Sequence, residues 1–291
     1  MKKFTALTLA LVLSLSLSSC GNNGTSSDDN SGSNSGDSAG KKQTINLVIG
    51  AGHTVGSMEY LDSLDNFFKP EVAKRVSENT DYEIEWTDAY GTVAGLSETV
   101  TATQDGLLDL CAITVSPVSG QLPYHQYSIY LPFCTGDNAL LQKVSDQLYE
   151  EFSDELVTSF ETQYNQKLLA KMVLDSYEVF SSTPIEKFSD LSGKKIGGSG
   201  RNLLWLENTG AVGIQSNMGD GYTSLQTGII DGTENNETAL TTGKHGEICK
   251  VYSTDQHAMI PDVMVMSSKV WKNISPEDQQ IILEAAREST E

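Results

Sequence analysis

Residues 193–236 read GKKIGGSGRNLLWLENTGAVGIQSNMGDGYTSLQTGIIDGTENN. Lys195-Ile196 is a short strand pattern that runs into a glycine-rich loop. Leu203 to Leu206 then start a helix that Gly210 stops. Val212 to Ile214 form a second strand, Tyr222 to Gln226 a second helix stopped by Gly228, and Ile229-Ile230-Asp231 a third strand ending in Thr233-Glu234-Asn235. This alternation of strand and helix is the rhythm of a parallel sheet. Ligands of open α/β sheets bind beyond the carboxyl ends of the strands, so Gly197–Asn202 and Thr233–Asn236 are expected to converge on one site.

The same grammar occurs upstream. A helix closes at Gln104-Asp105-Gly106 and is followed by Leu107-Leu108-Asp109; Gln226-Thr227-Gly228 is followed by Ile229-Ile230-Asp231. In each copy the Gly supplies a left-handed helix end, and the aliphatic pair leads back into the sheet. Two similar α/β lobes account for the echo. In the first, Thr44 to Ile49 is a strand, and Met58 to Val76 carries apolar residues at helical spacing with a break expected at Pro70. Tyr82, Ile84 and Trp86 alternate as a half-exposed strand. Leu140 to Tyr164 reads as one long amphipathic helix. Leu168 to Phe180 is the crossing into the second lobe. Beyond Asn236 the chain reads helical to about Ile248, and Ala258 to Met266 could cross back. Ser275-Pro276-Glu277-Asp278 opens a helix, with Ser as cap and acids in the first turn. The expected limits are 43–172 for lobe 1, 173–255 for lobe 2 and 256–291 for the return.

The chain begins Met1-Lys2-Lys3, continues with an apolar run to Leu17, and reaches Leu17-Ser18-Ser19-Cys20-Gly21. The run is short for a membrane span and right for a leader. Residues 1–19 are read as a lipoprotein signal peptide and Cys20 as the lipidated residue, tethering the protein to a membrane surface. Residues 20–42, rich in Ser, Gly, Asn and Asp, are a linker too polar to pack. The formal net charge of −20 excludes a nucleic-acid partner, which needs clustered Lys and Arg.

Asp190-Leu191-Ser192-Gly193-Lys194-Lys195-Ile196, the run Tyr222–Gly232 and the following Glu234-Asn235 resemble the solute-binding proteins of tripartite ATP-independent periplasmic (TRAP) transporters, the dicarboxylate-binding family. Leu131-Pro132-Phe133 and Gln104-x-Gly106-x-x-Asp109 add to the likeness, which covers roughly residues 44–288. It implies a two-lobed, periplasmic-binding-protein-like α/β fold with a hinge and an interlobe cleft, no cofactor and no catalysis. It also implies an extracytoplasmic protein that captures a small organic acid and delivers it to membrane permease subunits. A surface receptor serving a sensor kinase shares that fold, and a lipid-anchored enzyme is a third reading. The family's long C-terminal helix would be cut short at Glu291, so a fragment is expected.

The likeness also assigns residues. The family's carboxylate-holding Arg falls on Gly197, and a second Arg falls near Tyr177. Arg201 and Asn202 are the expected replacement, a guanidinium being suited to a carboxylate, unless Arg201 is simply solvated. Asn235 matches the cleft Asn, with Glu234 beside it. Met218 stands where relatives carry an aromatic, and packs either on ligand or in the core. Tyr90 and His53, in first-lobe loops, either face the cleft or make local hydrogen bonds. His245, Glu247 and Cys249 alternate, but helical spacing would splay them, so no metal is expected. Cys111, Cys134 and Cys249 allow three pairings; three small buried thiols is the default.

Overall fold

The computed structural model describes residues 42–253 and 256–290. Cys20, the leader and the linker, apart from Lys42, lie outside the described residues.

Nine strands form one sheet among the described residues: β1 (Gln43–Ala51), β2 (Tyr82–Asp88), β3 (Leu110–Thr114), β4 (Gln166–Ser181), β5 (Lys195–Gly198), β6 (Val212–Gln215), β7 (Gly232–Asn236), β8 (Val251–Tyr252) and β9 (Ala258–Ser267). The order is β2-β1-β3-β9-β4-β7-β5-β6, with β8 on β4. Two parallel trios, β2-β1-β3 and β7-β5-β6, flank an antiparallel pair, β9 and the 16-residue β4. All ten residues of β9 are buried, as expected of a strand covered on both faces, and all but Asp262 and Ser267 are apolar.

The echoed motif has one structural job in both trios. Gly106 (φ 77°) and Gly228 (φ 70°) turn the chain out of α3 (Thr99–Gln104) and α6 (Met218–Gln226). Asp109 then accepts the Val48 N–H on Oδ2 at 2.8 Å while its own N–H reaches the Val48 carbonyl at 2.9 Å. Asp231 repeats both bonds with Lys195, at 2.8 and 2.7 Å. A carboxylate on a backbone N–H is a charge-assisted bond and fixes the register of the incoming strand.

Between β1 and β2 the chain is continuously helical from Glu59 to Asn79, as α1 (Glu59–Ser63), a widened π-turn at Leu64–Phe68 and α2 (Lys69–Asn79). Pro70 can donate no N–H, and the extra residue in the turn before it absorbs the conflict, with Lys69 N–H reaching Leu64 O. The helix expected over 140–164 is likewise divided, into α4 (Asn138–Glu151), a π-turn at Asp154–Thr158 and α5 (Ser159–Tyr164).

Three expectations are corrected. The segment after β5, Gly200–Leu206, is a 3₁₀ helix tied to another loop, not an α-helix running to Gly210. The third strand starts at Gly232; Ile229 is exposed and Ile230 plugs the core. Residues 237–248 hold short 3₁₀ turns instead, with the chain folded so tightly that a Cβ on Gly243 or Gly246 would lie 2.8 Å from the Ala239 or 3.0 Å from the Leu240 carbonyl oxygen. After β9 come α7 (Ser268–Trp271) and α8 (Pro276–Glu288), the latter capped by Ser275 as its sequence indicates. Cys111 and Cys249 are buried free thiols, but Cys134 is exposed on the loop after Phe133, where nothing packs over it. No helix among the described residues is long and apolar enough to cross a membrane.

Candidate functional site

The carboxyl ends of β1, β3, β5 and β6 point toward one another across the sheet, and the segments leaving them enclose a cleft. Gly52–Ser57 leaves β1 and Ser116–Val118 leaves β3; Ser199–Leu206 leaves β5 and Gln215–Asn217 leads from β6 into α6. Residues 95–98 ahead of α3 complete the first-lobe side. The cleft has an outer cavity of about 710 Å³ and an inner one of about 30 Å³. His53, Leu96, Pro117, Ser199, Asn217 and Met218 line both. A groove of about 880 Å³ between α4, β4 and α8 is larger, but it lies away from the strand ends and is walled by exposed charges of both signs.

Four of the expected residues meet here. His53 stands half-buried on the first-lobe side, its Nδ1 2.9 Å from the Tyr60 hydroxyl, and burial lowers its pKa to about 4, so the ring is neutral. Tyr177, in the last third of β4, lies edge-on to Trp205 at 5.7 Å and bonds Asn202. Burial raises its phenol well above the ordinary range. Asn202 is buried and accepts the Ser116 hydroxyl on Oδ1 at 2.6 Å. Met218 is the first residue of α6, whose cap is the Asn217 side chain accepting the Asp220 N–H at 2.9 Å. His245 holds that end of the helix from behind, its ring under Gly221 and its Nε2 3.4 Å from the Met218 carbonyl.

The other four sit elsewhere. Arg201 turns away from both cavities: its Nε donates to Ser119 Oγ at 3.1 Å and its guanidinium lies 5.9 Å from the centre of the Tyr130 ring. Tyr90 points into the first-lobe core, donating to Asp65 at 3.0 Å. Glu234 is buried with Oε1 3.1 Å from His257 Nε2. Asn235 pairs with Glu178 across the sheet, and its Oδ1 accepts the Asn236 N–H at 3.0 Å. Because side chains alternate along a strand, the register puts Asn236, not Asn235, on the Tyr177 side. A Cβ on Gly197 would lie 2.8 Å from Ile230 Cδ1 and 3.2 Å from Ser216 Cβ, so neighbours fill the start of any side chain there.

Sequence reasoning missed Ser116, the point where the two lobes touch. Its hydroxyl serves Asn202 Oδ1 at 2.6 Å and the Ser199 carbonyl at 3.2 Å, and receives the Arg201 N–H at 3.2 Å. Gly200 sits against it with φ 57°, and a Cβ there would meet the Ser116 carbonyl oxygen at 2.6 Å. Gly197-Gly198-Ser199-Gly200 was the available signal: that density of glycine marks close approach of another backbone. His245, Glu247 and Cys249 do not gather, and the described residues hold no cluster able to bind a metal.

The family model of bacterial extracellular solute-binding protein, family 7, matches residues 63–291. The protein YiiZ of Salmonella typhimurium is 32% identical over 207 residues, covering 69% of this chain and 61% of that protein. A solute-binding protein of Chromohalobacter salexigens is 26% identical over 222 residues, covering 75% and 64%. The chain thus spans a little under two thirds of the length of these relatives. Among solved structures, a TRAP periplasmic solute-binding protein from Pseudomonas putida F1 with bound D-glucuronate superposes with a TM-score of 0.71 at 25% identity, over 84% of this chain and 78% of that one. The Bordetella pertussis receptor DctP7, which binds pyroglutamic acid, gives 0.73 over 84% and 78% at 15% identity, a likeness of fold alone. With a matched span that takes in most of the sheet and the whole second-lobe side of the cleft, the chain belongs to the bacterial extracellular solute-binding proteins of family 7, on the two-lobed fold of TRAP periplasmic solute-binding proteins.

Proposed function

We propose that the protein is an extracytoplasmic, TRAP-type solute-binding lipoprotein that captures a small organic solute between its lobes and hands it to a membrane permease. The observation that carries the reading is the cavity of about 710 Å³ walled by segments from both parallel trios, of a size for a small molecule and placed where an α/β sheet binds ligands. The two lobes are taken as 43–172 with 256–291, and 173–255, with β4 and β9 as the hinge. His53, Tyr177, Asn202 and Met218 are the proposed contacts; Arg201, Glu234, Asn235 and Tyr90 act behind or beside the wall. The organic acids bound by relatives and their neutral counterparts are the first classes to screen. Binding is a cleft closure with no chemical turnover, and the closed form is what the permease reads. Cys20 is the proposed lipid attachment, holding the protein at the outer face of the membrane.

A thermal-shift screen of small organic solutes on the full chain tests capture, and mass spectrometry of recovered solute tests turnover. A melting point moved by no solute would end the capture reading; a chemically altered solute would move the protein to the enzymes. Replacing Cys20 by Ala is expected to shift the protein from the membrane fraction to the soluble one. Uptake by cells carrying the permease with and without this protein tests delivery.

A further inference from the structure

Among the described residues lining the two cavities there is no lysine or arginine. The side chain there that ordinarily carries a charge is Glu98, anchored by accepting the Gly95 N–H on Oε2 at 3.1 Å. The guanidinium that follows β5 is committed to Ser119 and the Tyr130 ring. What the wall offers instead is neutral hydrogen-bonding groups: Tyr177 and Asn202 at the inner end, Ser199 where the cavities meet and Gln215 outside, while Ser116 and Asn217 are already bonded to Asn202 and to Asp220 and hold the wall in shape. We propose that this cleft selects a hydroxyl-rich solute without net negative charge, a neutral sugar or polyol, and discriminates against the matching carboxylate.

The physical reason is desolvation. A carboxylate carried out of water into a closed cleft needs a cation or several charge-assisted donors, and otherwise its lost hydration is not replaced. Here it would also meet the like charge of Glu98, within a chain of net charge −20. Hydroxyl groups both donate and accept, so they pair with serine, tyrosine and amide side chains without that cost. The neutral His53 ring adds a partner without adding charge. The inner cavity, about 30 Å³, has the volume of one hydroxyl-sized group rather than of a ring. The proposal rests on the cleft being the solute site and names the class of solute it takes.

The test is calorimetry of the full chain against matched pairs: hexoses and pentoses, each beside its uronate, with the corresponding sugar alcohols, at low ionic strength and pH 7.5. The best neutral member is expected to bind about ten-fold or more tightly than its carboxylate partner, a gap of roughly 1.4 kcal/mol. Glu98→Gln is expected to narrow that gap by strengthening the uronate more than the neutral sugar. A uronate bound more tightly than its neutral partner overturns the proposal and leaves the cleft standing as a solute site. Binding of no member of either set overturns the proposal and counts against the cleft reading as well.

Discussion

Asp262 is a carboxyl group held where water does not reach. It is 1% exposed, in the middle of the central antiparallel pair, and its Oδ2 accepts the Thr114 hydroxyl at 3.1 Å. Burial raises its pKa well above the ordinary carboxyl range, against the lowering effect of the Thr114 and Val115 donors. A group whose folded pKa is raised stabilises most at low pH, and that contribution is lost as pH rises through the folded value. Asp262→Asn keeps an acceptor for Thr114 and removes the ionisation. It is therefore expected to hold or raise the melting temperature at pH 8, where a fall of several degrees would contradict the argument. His125 works in the other direction. It is buried against Phe160, its Nδ1 2.7 Å from the Tyr149 hydroxyl, and burial lowers its pKa from 6.5 to about 4. As pH falls below 6.5 the unfolded chain takes the proton first, so stability drains away until pH 4. At about 1.4 kcal/mol per pKa unit the loss is roughly 3 kcal/mol. Urea unfolding at pH 7, 5.5 and 4.5 reads the slope, and His125→Gln should lessen it, leaving the share of His53, which burial shifts in the same direction; an unchanged slope in that variant would remove His125 as a source. Neither residue announces itself in the sequence, because a lone Asp or His carries no mark of its burial.

At the scale of elements, the close contact between Gly200 and the Ser116 backbone is what lets the two lobes meet at the inner end of the cleft. Alanine there would adopt a left-handed φ and place a methyl 2.6 Å from a carbonyl oxygen. Gly200→Ala is expected to cost more than about 1 kcal/mol of stability. It should also widen the molecule measurably in small-angle scattering, and a variant as compact and as stable as the parent would show the contact to be dispensable. Ser275 makes the opposite kind of contribution, wholly local: its Oγ accepts the Asp278 N–H at 3.1 Å at the start of α8. Ser275→Ala is expected to cost about 1 kcal/mol, read by denaturant unfolding, without moving solute affinity. The cap was legible because its partners lie three residues away. The 3₁₀ segment Gly200–Leu206 was not, because its geometry follows from Ser116 and Ile129, which are distant in the chain; the Trp205 indole N–H donates to the Ile129 carbonyl at 2.7 Å.

For the whole molecule, solute that binds only the folded, closed form stabilises it by mass action. At one hundred times Kd this is about 2.7 kcal/mol, which for a body of this size raises the melting temperature by roughly 5–10 °C. Thermal shift reads this directly, and the rise should scale with the logarithm of solute concentration; a rise that saturates at stoichiometric solute would point to a different linkage. The sequence by itself determined the alternation of strand and helix, the two glycine-closed helices and the aspartates that follow them, and the cap of α8. Those features depend on backbone preferences and on neighbours a few residues apart. Tertiary structure alone decided that β9 enters between β3 and β4, that Met218 comes to face His53, and that Arg201 is spent on Ser119 and Tyr130 rather than on the cleft. Residue types state what bonds a side chain is able to make. The packing of two halves far apart in the chain settles which partner is within reach, and so the charge the cleft presents to a solute.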